Sequence, residues 1–281
     1  MHTILISAIM LAYGTIIGSF LNVVIYRTPK KEGIVKGRSH CTDCGHTLNW
    51  YDLFPILSWI CLGGKCRYCK TKISPRYALV ELLCGISYAV AFIGLGFSIN
   101  LGFAVILFPI LICLSFFDYD TGEIEYWCPI SIAALGIIAL GLSIFGASDV
   151  PASSHFIGMF VISVPFLILG LFGAMGGADV QLMAAAGLLL GWNIIPAALI
   201  GIFLGSVVGV IIKLKSPKTE TETEDETEKE IEKEIEKEIE NQDELPVKGT
   251  VIRFGPFLAI GIAVAFIYGE NLIDWYMTFM G

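Results

Sequence analysis

The chain has 281 residues, is 55% hydrophobic and has a mean hydropathy of +0.74. Its net charge of −8 comes from one place: residues 219–244 carry 14 Asp/Glu against 3 Lys. Residues 77–212 contain no Lys or Arg at all. That run is too long and too apolar for the core of a water-soluble domain, and nothing in it suits nucleic-acid binding. It reads as several membrane spans.

All 18 Lys and Arg fall in two windows, 27–76 and 213–253. An excess of basic residues marks cytoplasmic loops, so both windows are expected on that side. The first basic residue, Arg27, follows the first apolar run. No basic stretch precedes that run and no small-x-small cleavage site follows it. An uncleaved first span with its N-terminus outside is therefore expected.

In chain order the expected elements are a first span at 1–26 (apolar core 3–25), a cytoplasmic domain at 27–76, and a six-span region at 77–215. An acidic cytoplasmic insert at 216–250 and a last span at 251–281 complete the chain. The six spans fall near 77–97, 101–117, 128–147, 154–174, 180–192 and 194–213. Six crossings return the chain to the side it left, which keeps both basic windows cytoplasmic. Segment 180–192 is short against the roughly 20 residues a span needs, so it tilts or is partly re-entrant. The fold class is thus an all-α polytopic membrane protein with about eight transmembrane helices and a small cytoplasmic domain. In the insert, Ile231, Ile235 and Ile239 recur every fourth residue among Glu and Lys. It reads as a solvated, partly helical or disordered linker.

The cytoplasmic domain holds Cys41-Thr-Asp-Cys44 and Cys66-Arg-Tyr-Cys69, with 21 residues between the pairs. Two C-x2-C knuckles at this separation are a zinc-ribbon signature, each aiming two thiolates at one point. Two disulfides are the competing reading, but a basic loop belongs in the reducing cytosol. Structural zinc on Cys41, Cys44, Cys66 and Cys69 is the expectation. Cys61, Cys84, Cys113 and Cys128 lie singly in apolar surroundings and read as small buried hydrophobes.

Acids are few elsewhere: Glu81, Asp118, Asp120, Glu123, Glu125, Asp149, Asp179, Glu270 and Asp274. Ionisable groups at membrane depth are costly and are functional candidates. The expected topology places Asp118, ending the third span, and Asp179, beginning the sixth, on the cytoplasmic rim. Asp149, Glu270 and Asp274 fall toward the other face. Small residues crowd Asp179 (Gly173, Gly176, Gly177, Ala178, then Ala184 to Gly187), leaving room for a neighbouring helix or an extended peptide. Two carboxylates at one depth suit aspartyl protease chemistry, one ionised and one protonated. They suit a proton or ion relay equally well.

Several ordered motifs resemble the bacterial prepilin peptidases, or type IV leader peptidases. They are Gly18-Ser-Phe-Leu-Asn-Val-Val-Ile-Tyr-Arg27, the two Cys pairs, Trp50-Tyr-Asp-Leu-Phe-Pro-Ile-Leu-Ser58, Ile73-Ser-Pro-Arg-Tyr77, Val80-Glu81-Leu82 and Gly176-Gly-Ala-Asp-Val-Gln-Leu182. The resemblance runs nearly end to end, excluding the insert. It implies a polytopic aspartyl protease of the bacterial inner membrane. Such enzymes cleave the basic leader of type IV prepilins or pseudopilins after a glycine at the cytoplasmic face. It implies Asp118 and Asp179 as the catalytic pair, with zinc on the four cysteines of a methylation-associated domain. It also implies N-methylation of the new N-terminus from S-adenosylmethionine; no Gly-rich Rossmann loop supports this independently. The chain departs from the family pattern at Glu125, where Pro is usual, at Ala178 in place of Gly and at Gln181 in place of Lys.

Overall fold

A computed structural model describes residues 2–35, 37–148, 150–173, 175–215 and 253–280. The acidic insert and Asp149 lie outside the described residues. The ten helices described are α1 His2–Arg27, α2 Leu57–Cys61, α3 Arg76–Leu95, α4 Ile99–Thr121, α5 Trp127–Ile144, α6 Ala152–Val161, α7 Ser163–Leu171, α8 Gly177–Leu190, α9 Ile194–Lys215 and α10 Gly255–Met280. No strand is present among the described residues. Helices are the outcome chemistry demands here, because hydrocarbon offers nothing to unpaired backbone groups.

Seven helical stretches are long and apolar enough to cross a membrane. One of them, Gly177–Leu214, has 38 residues, about 57 Å of helix against a hydrocarbon core near 30 Å. It does not run straight. The chain breaks at Gly191, whose φ is +60°, and a 3-10 turn over Gly191–Asn193 separates α8 from α9. α8 starts within electrostatic range of Asp118 and reaches, at Leu189, the cavity lined by Ile99 and Phe103 at the other end of α4. α9 then comes back along α10: Asn193 abuts Gly269, and Gly201 abuts Leu258. The stretch is a helical hairpin, and its two arms are the expected segments 180–192 and 194–213.

The expected fifth span, 154–174, is found at Ala152–Leu171, built of two short helices, α6 and α7, which meet at Ile162. α6 lies against α8 with backbone touching backbone. A Cβ on Gly158 would strike the carbonyls of Gly187 and Gly191, and one on Gly187 would strike Gly158. Ser154 Oγ accepts the Trp192 N–H at 3.1 Å, and His155 Nδ1–H donates to the Leu188 carbonyl at 2.9 Å. These bonds satisfy backbone groups freed where the hairpin turns.

α1 and α3 pack antiparallel by the same small-residue device. Gly14 sits on Cys84 and Gly85, and Gly18 on Glu81, where an added Cβ would come within 2.6 Å of backbone atoms. α4 is the helix most enclosed by others, with 44% of its apolar window buried. It carries Pro109, which deprives the Val105 carbonyl of its helical donor. Tyr88 of α3, fully buried, donates its hydroxyl to that carbonyl at 2.6 Å. Residues 205–252 form a second unit, of which only the end of α9 is described.

Candidate active site and metal centre

Three helix ends meet around Asp118. α4 ends three residues later, where Gly122 takes the left-handed conformation (φ +73°) and donates its N–H to the Asp118 carbonyl. The Asp118 side chain is buried, and its Oδ2 accepts the N–H of Gly255, the first residue of α10, at 3.0 Å. The positive end of α10 therefore points at this carboxylate. Arg253 acts on Asp118 electrostatically and stacks over Tyr119 at 5.9 Å.

Asp179 is the third residue of α8 and half-buried. Its carboxylate folds back toward the preceding turn, 3.3 Å from where a Cβ on Gly176 would lie. It takes the Gly176 backbone N–H as a partner and feels the charge of Asp118. The two acids that sequence reasoning singled out are thus brought together from positions 61 residues apart in the chain. Gly173 and Gly177 beside them have open space where a side chain would be.

Asp120, two residues from Asp118, is engaged elsewhere. Both of its carboxylate oxygens are held by the guanidinium of Arg76, one at 2.8 Å, and Arg76 also stacks on Phe116 at 4.8 Å. Glu123 is exposed, Glu125 is half-buried, and Glu270 and Asp274 are exposed on α10. None of these four has a shown link to the Asp118–Asp179 pair.

The four cysteines form a second centre. Cys41, Cys44, Cys66 and Cys69 place their sulfurs within 4.8 Å of one another, an arrangement that could hold a metal ion. The two knuckles repeat one backbone design. Gly45 N–H bonds to the Cys41 carbonyl and Lys70 N–H to that of Cys66, with both Gly45 and Lys70 at positive φ. Cys41 N–H then meets His46 O, and Cys66 N–H meets Thr71 O. The Cys41 and Cys69 sulfurs are 3.8 Å apart, far beyond disulfide bonding. A tetrahedron with Zn–S near 2.3 Å has edges of about 3.8 Å. The donor set and the spacing both fit zinc.

Thr71, through its hydroxyl and its N–H, pulls the Cys69 thiol down to about 6, so it is a ready thiolate. For Cys44 the His46 backbone N–H works downward, but burial and the bonds to Cys41 and Cys69 outweigh it and push the thiol up to about 11. Cys84, Cys113 and Cys128 are buried, as apolar surroundings suggest, whereas Cys61 is exposed on α2. Its neighbours in sequence are apolar, and Ile60 faces outward with it while Trp59 and Leu62 turn inward.

Two supporting residues escaped sequence reasoning. Asp52 joins the second knuckle to the turn at Trp50–Asp52, taking Arg67 Nε–H at 2.6 Å, Asn49 N–H at 3.2 Å and Tyr68 O–H at 3.3 Å. Burial works to raise its carboxyl, but these donors win and hold it below the usual carboxylate range. Gly255 is the other: its place against Asp118 depends on a contact between residues 137 apart. The only local sign is the Gly255-Pro256 pair that opens the last helix.

Residues 12–95 match the model of the bacterial peptidase A24 N-terminal domain, and residues 105–214 match that of the type IV leader peptidase family. The chain is 35% identical over 233 residues to the prepilin leader peptidase/N-methyltransferase of Myxococcus xanthus, covering 77% of this chain and 67% of that protein. It is 29% identical to the protein of the same name from Stutzerimonas stutzeri and 28% to that of Pseudomonas aeruginosa. These alignments cover 96% and 95% of this chain, and 93% and 92% of the relatives. No solved structure matches the chain. The matched models and the relatives' coverage together make this chain a member of the type IV leader peptidase family.

Proposed function

We propose that this protein cleaves the leader of prepilin-like proteins after a glycine and N-methylates the new N-terminus, with Asp118 and Asp179 as the catalytic residues. Support for the peptidase half comes from the charge of Asp118 acting on Asp179 where three helix ends meet. The ionised carboxylate takes a proton from water, and the water oxygen attacks the scissile carbonyl. The protonated carboxylate donates to the carbonyl oxygen as charge develops there. Collapse of the tetrahedral adduct breaks the C–N bond, and the departing amine takes a proton from the pair. Gly255 N–H and the start of α10 suit Asp118 to the negative role.

The basic windows support an orientation with this end of the bundle at the cytoplasmic face of the bacterial inner membrane and the N-terminus outside. A prepilin has a basic leader followed by an apolar helix, so its scissile bond lies at that depth. Residues 27–76 form the methylation-associated domain. Cys41, Cys44, Cys66 and Cys69 hold a structural zinc ion there, which staples a segment too small for a large core of its own. A cavity of about 660 Å3 lies between this domain and α1 and α3. It falls within the range of small-molecule sites. Tyr26, Trp59 and Tyr77 give it aromatic surface suited to a sulfonium, and Ser19, Asn22 and Asp43 give it polar contacts. These residues fit S-adenosylmethionine, which when bound supplies an electrophilic methyl group. Tyr77 on the cavity wall adjoins Arg76, whose pairing with Asp120 ties this cavity to the end of α4.

Co-expression with a prepilin, read by intact mass, tests both halves. Loss of the leader plus the mass of one methyl group is expected. An unprocessed substrate refutes the peptidase half, and a cleaved but unmethylated one refutes the methyltransferase half. Calorimetry with S-adenosylhomocysteine tests the cavity separately: Tyr77→Ala should weaken binding, and unchanged affinity rejects that site.

A further inference from the structure

The loop and short helix between Trp50 and Cys61 carry the largest outward apolar surface of the cysteine domain. Trp50 is 74% exposed, Phe54 51%, Leu57 60% and Ile60 61%. A contiguous patch of this kind is seldom left in water. Its inner face is different: Leu53, Ser58, Trp59 and Leu62 line the 660 Å3 cavity.

The depth of this segment is set by one hydrogen bond. Ile56 N–H donates to Glu81 Oε2 at 2.7 Å. Glu81 is buried in α3, five residues past its start at Arg76, or about 7.5 Å along the axis. Ser19, eight residues before the end of α1 and so about 12 Å inside it, bonds the same carboxylate. Ile56 has φ +62°, a region that a β-branched residue occupies only under constraint. The loop is therefore held down beside the ends of two spans rather than above them.

We infer that residues 50–61 form a wedge seated at the headgroup–acyl boundary of the bilayer that α1 and α3 cross, with Trp50, Phe54, Leu57 and Ile60 in lipid. The anchor at Glu81, inside the ends of two apolar spans, is what commits the segment to lipid rather than to a protein partner. Aromatic side chains favour this boundary. Cys61 faces outward on the same segment, which accounts for an exposed thiol among apolar neighbours. Lys65, Arg67, Lys70 and Lys72 follow in the chain, as befits a domain resting on anionic headgroups. The wedge also walls the cavity from the acyl chains at the depth where a cleaved substrate's new N-terminus would lie. The inference rests on the membrane reading of the spans, not on the catalytic assignment.

The test uses the full-length chain in anionic liposomes. An environment-sensitive fluorescent amino acid is placed at Leu57, at Ile60 and, as an aqueous control, at the 96% exposed Val35. Brominated lipid should quench the probes at 57 and 60 by about twofold or more, while iodide in the water spares them; Val35 should show the reverse. Probes at 57 and 60 that behave like the one at 35 overturn the inference. On the unmodified chain, a lipid-borne carbene should label 50–61 and leave 38–48 unmarked. Equal labelling of both segments, or none of 50–61, overturns it as well. Prepilin cleavage in the same liposomes is scored independently, so a failed peptidase reading leaves a distinct signature.

Discussion

Replacing Gly255 with Ala puts the geometry of the Asp118 carboxylate to a direct test. The added Cβ would lie 2.7 Å from Asp118 Oδ2, 2.9 Å from Cγ and 3.0 Å from Cβ. Ordinary contacts at such atoms begin near 3.4 Å, so the helix start and the carboxylate must part by about 0.7 Å or more. The 3.0 Å bond from Gly255 N–H to Oδ2 lengthens or breaks with that movement. Displacing a reacting group by about 1 Å costs on the order of 10²-fold in rate. Overpacking of this size costs about 1–3 kcal/mol in stability, which a bundle of this size can absorb. The expected result is a folded protein with kcat for prepilin cleavage lowered about 10²-fold and KM little changed. Purified protein in detergent, assayed by leader release and by thermal unfolding, provides both readings. Gly141→Ala in α5, where nothing lies within 4 Å of the new methyl, is the control and should retain activity. If Gly255→Ala cleaved at the normal rate while Asp118→Ala did not, the bond from α10 would have no part in the chemistry.

Other substitutions separate the roles assigned above. Asp118→Ala and Asp179→Ala should each lower cleavage by about 10²–10⁴-fold or more in an inserted protein. Asp120→Asn should keep cleavage and lose only its pair with Arg76, a partly exposed contact worth about 0.2–1 kcal/mol. Activity lost with Asp120 and kept without Asp118 would reverse the assignment. Tyr88→Phe should destabilise by about 1–3 kcal/mol by leaving the Val105 carbonyl unpaired above Pro109, read as a lower melting temperature. A Tyr88→Phe melt equal to wild type would refute that pairing. Asp52 has a folded pKa below its unfolded value near 3.8, so its contribution is complete above that pH and is lost as pH falls through the folded value. Asp52→Asn should therefore loosen the cysteine domain near neutral pH, and the difference from wild type should shrink in acid, as followed by limited proteolysis. A difference that grew in acid would contradict the sign.

Much of this protein is written locally. The spans are runs of apolar residues, and lipid converts such runs to helix whatever their order, because no other backbone partner exists there. The knuckles are equally local: two cysteines three apart, followed by a residue at positive φ, make each half of the tetrahedron without help from elsewhere. The acids stood out because carboxylates are rare among apolar residues. Local pattern located the fifth span but not its break at Ile162, and it hid Cys61, which is exposed beside the outward Ile60.

What sequence determined by itself is the set of apolar helices, the four-cysteine centre and a short inventory of acids, since each follows from neighbours within a few residues. Tertiary structure alone decided which groups meet: Asp118 with Gly255 and Asp179, Asp120 with Arg76, Tyr88 with the carbonyl that Pro109 leaves free, and Ile56 with Glu81. The reason is physical. In so apolar a chain almost every surface can pack against almost any other, and the pairing is settled by where glycine lets backbones touch and where a lone polar group finds its partner.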